Sequence, residues 1–86
     1  MASFSSAHKD PKTELQEWLQ SQQIPLPEYQ LVQAEGPAHD QRFTIQLSVS
    51  GFETHIETTG KSRKIAEQKA AKQFLEMIQD KAKKHA

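Results

Sequence analysis

From Phe43 to Val49 the chain alternates Phe43, Ile45, Leu47 and Val49 with Thr44, Gln46 and Ser48. That period of two predicts a strand with one buried and one wetted face. Residues 13–22 follow a different period. At about 100° per residue, Leu15, Trp18, Leu19 and Gln22 share one arc, and Thr13, Gln16, Glu17 and Gln20 share the opposite one. Asp10 as N-cap, Pro11 at the first helical position and Glu14 in the first turn mark where this helix begins. Ile24-Pro25-Leu26-Pro27 cannot continue it, because each proline lacks a donor and forces its predecessor to be extended.

Tyr29 to Ala34 reads as a first strand, joined by Gly36-Pro37-Ala38-His39-Asp40 to the alternating one. After the Ser50-Gly51 turn, Phe52 to Thr58 reads as a third strand, closed by Gly60. Ser62 is a good N-cap for a second helix running to about Asp80, with Ala66, Ala70, Ala71, Phe74, Leu75 and Ile78 on its apolar arc. The prediction is an α+β domain of order α-β-β-β-α, a three-stranded antiparallel sheet with two helices packed on one face. A flexible leader is expected at residues 1–9, the domain at 10–80 and a basic fraying tail at 81–86.

Eighty-six residues, 35% hydrophobic and 26% charged, suit one small domain. No apolar run approaches the ~18 residues of a membrane span, no secretory leader is recognisable, and no cysteine supplies a disulfide, a thiolate metal site or a thiol nucleophile. A cytoplasmic protein without membrane or small-molecule partner is expected. The net charge of zero conceals a division at Gly60. Residues 1–60 carry three basic and eight acidic groups, a balance of −5; residues 61–86 carry eight basic and three acidic, a balance of +5. Screening over ~8–10 Å lets the basic segment attract phosphates despite the distant acids.

Three places carry candidate chemistry. The outer arc of the first helix offers amides, a hydroxyl and a carboxylate, which suit ribose hydroxyls and base edges better than phosphates; a solvated helix face has the same composition. Gly60-Lys61-Ser62-Arg63-Lys64 puts cations at a helix start, where they oppose the helix dipole but complement an anion. It is no P-loop, since His55 stands where the first glycine is required. His39 sits in a loop with Asp40 beside it, yet His8, His55 and His85 give no zinc-ligand spacing with it and no nucleophile elbow is present.

In their order, Lys12-Thr13-Glu14-Leu15-Gln16-Glu17, Pro27-Glu28-Tyr29, Gly36-Pro37-Ala38-His39, Phe43, and Gly60-Lys61-Ser62-Arg63-Lys64-Ile65-Ala66 with Ala70-Ala71 resemble the double-stranded RNA-binding domain, from about Asp10 to Ile78. Asp10-Pro11-Lys12-Thr13, Ile24-Pro25-Leu26-Pro27, Ala38-His39-Asp40-Gln41 and Ala66-Glu67-Gln68 look more narrowly like the C-terminal domain of bacterial ribonuclease III. The resemblance implies that Thr13, Gln16, Glu17 and Gln20 meet one minor groove of an RNA duplex and Pro37, Ala38 and His39 the next. Lys61, Arg63 and Lys64 would hold the phosphates between them. It also implies a parent enzyme that cuts duplex RNA in a separate N-terminal domain, where magnesium would act, so this chain is expected to bind without cleaving and to need no cofactor. Two positions depart from the family: Glu67 replaces a common third cation, implying weaker binding, and Thr58 replaces a glycine ahead of the loop. The same fold also serves protein interaction or dimerisation without RNA, which is the alternative.

Overall fold

The computed structural model describes residues 10–85, with side chains described for 10–79. The elements are α1 (Pro11–Ser21), β1 (Glu28–Glu35), a 3-10 turn (Ala38–Asp40), β2 (Arg42–Ser48), β3 (Ile56–Gly60) and α2 (Arg63–His85). The strands form one antiparallel sheet in the order β1-β2-β3. This is the expected α-β-β-β-α architecture. The leader expected at residues 1–9 lies outside the described residues.

Asp10 caps α1 as its sequence suggests, its carboxylate accepting from the Thr13 N–H at 2.8 Å. At the other end Gln22, expected on the buried arc, is instead the exposed C-cap. Gln23 follows with φ 61°. The left-handed turn lets the Gln23 N–H reach Gln20 O and the Ile24 N–H reach Leu19 O, so the last carbonyls of the helix are satisfied before Pro25.

In the ladder Tyr29 faces Leu47 and Leu31 faces Ile45; Ile45 in turn faces Thr58, and Leu47 faces Ile56. These pairs line the inner side of the sheet. The β1–β2 register shifts between Leu31 and Gln33, which leaves Val32 as an extra residue in β1. α2 lies across β2 and β3, and α1 packs against α2. Leu15 and Leu19 of α1 thereby join Leu47, Val49, Ile56, Ala70, Ala71 and Phe74 in one core. Each large side chain buried there contributes about 1.5–3 kcal/mol. Ala66, Ala70 and Ala71 are fully buried, so the small side chains are what let α2 approach the sheet.

Two boundaries differ from the sequence reading. The third strand starts at Ile56, not Phe52. Residues 49–55 form a link that turns at Gly51, φ +88°, and brings Phe52 inward, its ring 5.1 Å from that of Phe74 and 6.5 Å from that of Trp18. Phe52 therefore serves the core from a loop. The second helix continues past Asp80 to His85. Lys and Ala are good helix formers, and no glycine or proline interrupts them.

Candidate nucleic-acid interface

The basic segment owes its placement to Gly60. A Cβ on this residue would lie 2.8 Å from the Ala66 N and 2.8 Å from Ile65 Cγ2, so only glycine lets β3 end against the first turn of α2. Ser62 then caps α2: its Oγ accepts from the Ile65 N–H at 3.1 Å and its carbonyl from the Ala66 N–H at 3.0 Å. Thr58 tightens the same junction. Buried at 6% exposure, its hydroxyl donates to Ala66 O at 2.6 Å. The threonine that departs from the family pattern is thus a strut between β3 and α2.

Lys61, Arg63 and Lys64 are all exposed at this helix entrance. Lys61 also lines a cleft of about 210 Å³ with Ala38, His39, Asp40, Gln41 and Phe43. The structure therefore brings the cationic segment beside the 3-10 turn, where Pro37, Ala38 and His39 are exposed and the Asp40 N–H donates to Pro37 O at 2.9 Å. Gly36 sets up that turn with φ +98°.

On the other flank, Glu67 joins the start of α2 to the start of α1. Its carboxylate lies 2.6 Å from Lys12 Nζ and 3.7 Å from Arg63 Nη2. The Lys12 N–H donates to Gln68 Oε1 at 3.1 Å, and the Lys12 ammonium sits 4.9 Å from the centre of the Tyr29 ring. Backbone and side-chain hydrogen bonds from Thr13, followed by one from Gln68, hold the Asp10 carboxyl below the usual range. Burial, reinforced by the charges of Glu67 and Asp10, pushes the Tyr29 phenol up to about 12.

Thr13, Gln16, Glu17 and Gln20 are exposed along α1, beyond this polar junction. The three groups of residues singled out from the sequence are thus linked: the turn and Lys61 line one cleft, Arg63 lies 3.7 Å from Glu67, and Glu67 holds Lys12 beside Thr13. Sequence reasoning missed Lys12 and Gln68 and treated Glu67 only as a lost cation. The i,i+4 spacing of Arg63 and Glu67 was a visible signal; the approach of Lys12, 55 residues away in sequence, had none. Among the described residues, no three His, Asp or Glu side chains come together as a metal site, and no helix is long and apolar enough to cross a membrane.

Two helices on one side of a three-stranded antiparallel sheet, with a turn and a cationic helix entrance joined at one end, define the double-stranded RNA-binding fold. A family model of the double-stranded RNA binding motif matches residues 11–78, and the chain belongs to that family. It is 52% identical over 77 residues to Ribonuclease 3 of Idiomarina loihiensis, a match covering 90% of this chain and 34% of that protein. It is 54% identical over 71 residues to Ribonuclease 3 of Photorhabdus laumondii subsp. laumondii, covering 83% of this chain and 31% of that protein. The chain therefore spans about a third of the length of these relatives. Among solved structures, the first dsRBD of protein HYL1 superimposes with a TM-score of 0.66 at 33% identity, over 81% of this chain and 97% of that one.

Proposed function

We propose that this domain binds double-stranded RNA by shape. Thr13, Gln16, Glu17 and Gln20 enter one minor groove and the Pro37-Ala38-His39 turn the next, while Lys61, Arg63 and Lys64 hold phosphates across the major groove between them. RNA offers this surface because its wide minor groove displays 2′-hydroxyls, whereas its narrow major groove leaves phosphates as the accessible groups. The observation that carries the reading is the position of Lys61, beside His39 on one side and leading into Arg63 and Lys64 on the other. Charge supplies affinity, and groove spacing supplies selectivity.

Titration with RNA duplex, DNA duplex and single-stranded RNA of equal length, at two salt concentrations, tests it. RNA duplex is expected to bind best and to weaken with salt. Replacing both Arg63 and Lys64 by alanine is expected to lower the log–log salt slope by about 1–2. Equal affinity for DNA duplex, or an unchanged slope in the double variant, would reject the assignment.

The two relatives are ribonucleases of which the match covers 34% and 31%, and on that basis we infer a longer protein in which this domain presents duplex RNA to a separate nuclease domain; we place that protein in the cytoplasm. Magnesium would act in that other domain. The chain alone, incubated with magnesium and a labelled duplex, is expected to leave it intact; specific cuts by pure protein would place catalysis here instead.

A further inference from the structure

A second cleft, of about 370 Å³, opens between β3 and the first two turns of α2, lined by Arg42, Thr59, Gly60, Lys61, Ile65 and Lys69. Its size falls within the ~300–1,000 Å³ of small-ligand sites. Three cations reach it from three parts of the chain: Arg42 at the start of β2, Lys61 in the link after β3, and Lys69 in α2. No carboxylate lines the cleft, and none of the three cations has an acidic partner within 4 Å among the described residues. Glu35 faces Arg42 across the ladder and lines a neighbouring cleft with it and Asp40, but Glu35 accepts from the Gln33 amide and forms no ion pair with Arg42. The Lys69 ammonium is held in place by donating to Thr59 O at 2.9 Å, which leaves it two further donors. Beside these charges Ile65, 46% exposed, presents an aliphatic wall.

Cations without an ion-pair partner next to an apolar wall complement a ligand with an anionic side and a flat apolar side. A nucleotide has both, but inside a duplex its base faces are stacked away except at a terminal pair; an unpaired nucleotide offers them freely. Lys61 lines this cleft and also the one that holds His39. The cleft is therefore continuous with the surface assigned to the duplex. We propose that it receives an unpaired nucleotide adjoining the duplex, with its phosphate on Arg42, Lys61 and Lys69 and its base against Ile65. This rests on the duplex-binding reading above and adds a preference for RNA in which paired and unpaired segments meet.

The test compares three RNAs sharing one duplex: blunt-ended, with a short unpaired 5′ extension, and with a short unpaired 3′ extension. At least one extension is expected to tighten binding roughly fivefold over the blunt duplex. Ile65→Ala, and separately Arg42→Ala with Lys69→Ala, are expected to abolish that gain, taken for each variant as the ratio of extended-RNA to blunt-duplex affinity so that any general weakening of duplex binding cancels. Alanine at position 65 adds no charge, is a good helix former and replaces a side chain already 46% exposed, so folding is retained. Extended RNAs that bind no better than blunt ones, or a gain surviving both variants, would overturn the proposal. An acidic peptide that binds at the cleft when the extension adds nothing would overturn it too and assign the cleft to a protein partner. The blunt-duplex arm separates these outcomes from failure of duplex binding itself.

Discussion

Lys12 Nζ lies 2.6 Å from the Glu67 carboxylate and 4.9 Å from the centre of the Tyr29 ring, so one side chain of α1 is held by α2 and β1 together. Glu67 is mostly buried, at 14% side-chain exposure, and the pair is therefore less screened than a surface ion pair. A double-mutant cycle of Lys12→Met and Glu67→Gln, read by urea unfolding, is expected to give a coupling of about 1 kcal/mol. The same cycle on Arg63 and Glu67, where the arginine is half exposed and 3.7 Å away, is expected to fall well below that.

Tyr29 predicts an alkaline signature. Its hydroxyl is buried without a partner among the described residues, and its phenol is pushed up from 10.0 to about 12. The fold prefers the protonated form, so the stability this group contributes is complete below pH 10 and is lost as pH rises toward about 12. Tyr29→Phe is expected to flatten this decline and to leave stability at neutral pH equal or slightly higher, since no hydrogen bond is broken. Unfolding curves collected across the alkaline range check both statements. Asp10 works in the opposite direction, its contribution being present above its ordinary value of 3.8 and lost as acid protonates it.

At the end of α1, Gln23 adopts φ 61°, a conformation glycine reaches without steric cost. Gln23→Gly is expected to stabilise the domain by roughly 0.5–1 kcal/mol and to raise its melting temperature by a few degrees, because the left-handed strain outweighs glycine's added freedom in the unfolded chain. A lower melting temperature would show that the glutamine side chain offsets its backbone strain.

Thr58→Val keeps the shape of the buried side chain but removes the hydroxyl that donates to Ala66 O. A loss of about 1 kcal/mol is expected, the ordinary net value of such a bond. The readout is thermal or urea unfolding; RNA affinity measured well below the transition should change little.

The fold was readable where local periodicity and burial agree. Phe43 to Val49 alternates because β2 is the central strand with one covered face, and Asp10-Pro11 and Ser62 mark helix starts that the backbone requires wherever the helices pack. Phe52 was misread because an aromatic residue ahead of Ile56 suggests a strand, whereas Glu53, Thr54 and His55 break the alternation and the ring reaches the core from a turn. The residues assigned to RNA contact were legible as types at separated positions. What joins them was not: Lys12 meeting Glu67 and Lys69 meeting Thr59 O are consequences of packing between elements, and no spacing along the chain encodes them.

The extra residue at Val32 has an effect on the sheet as a whole. β1 keeps an outer edge of unpaired backbone groups, the kind of rim on which a strand from another molecule can zip. A displaced residue in its middle interrupts that rim and steepens the local twist, so a straight strand cannot run along its full length. The irregularity thus protects the free edge of β1 against regular pairing with a further strand.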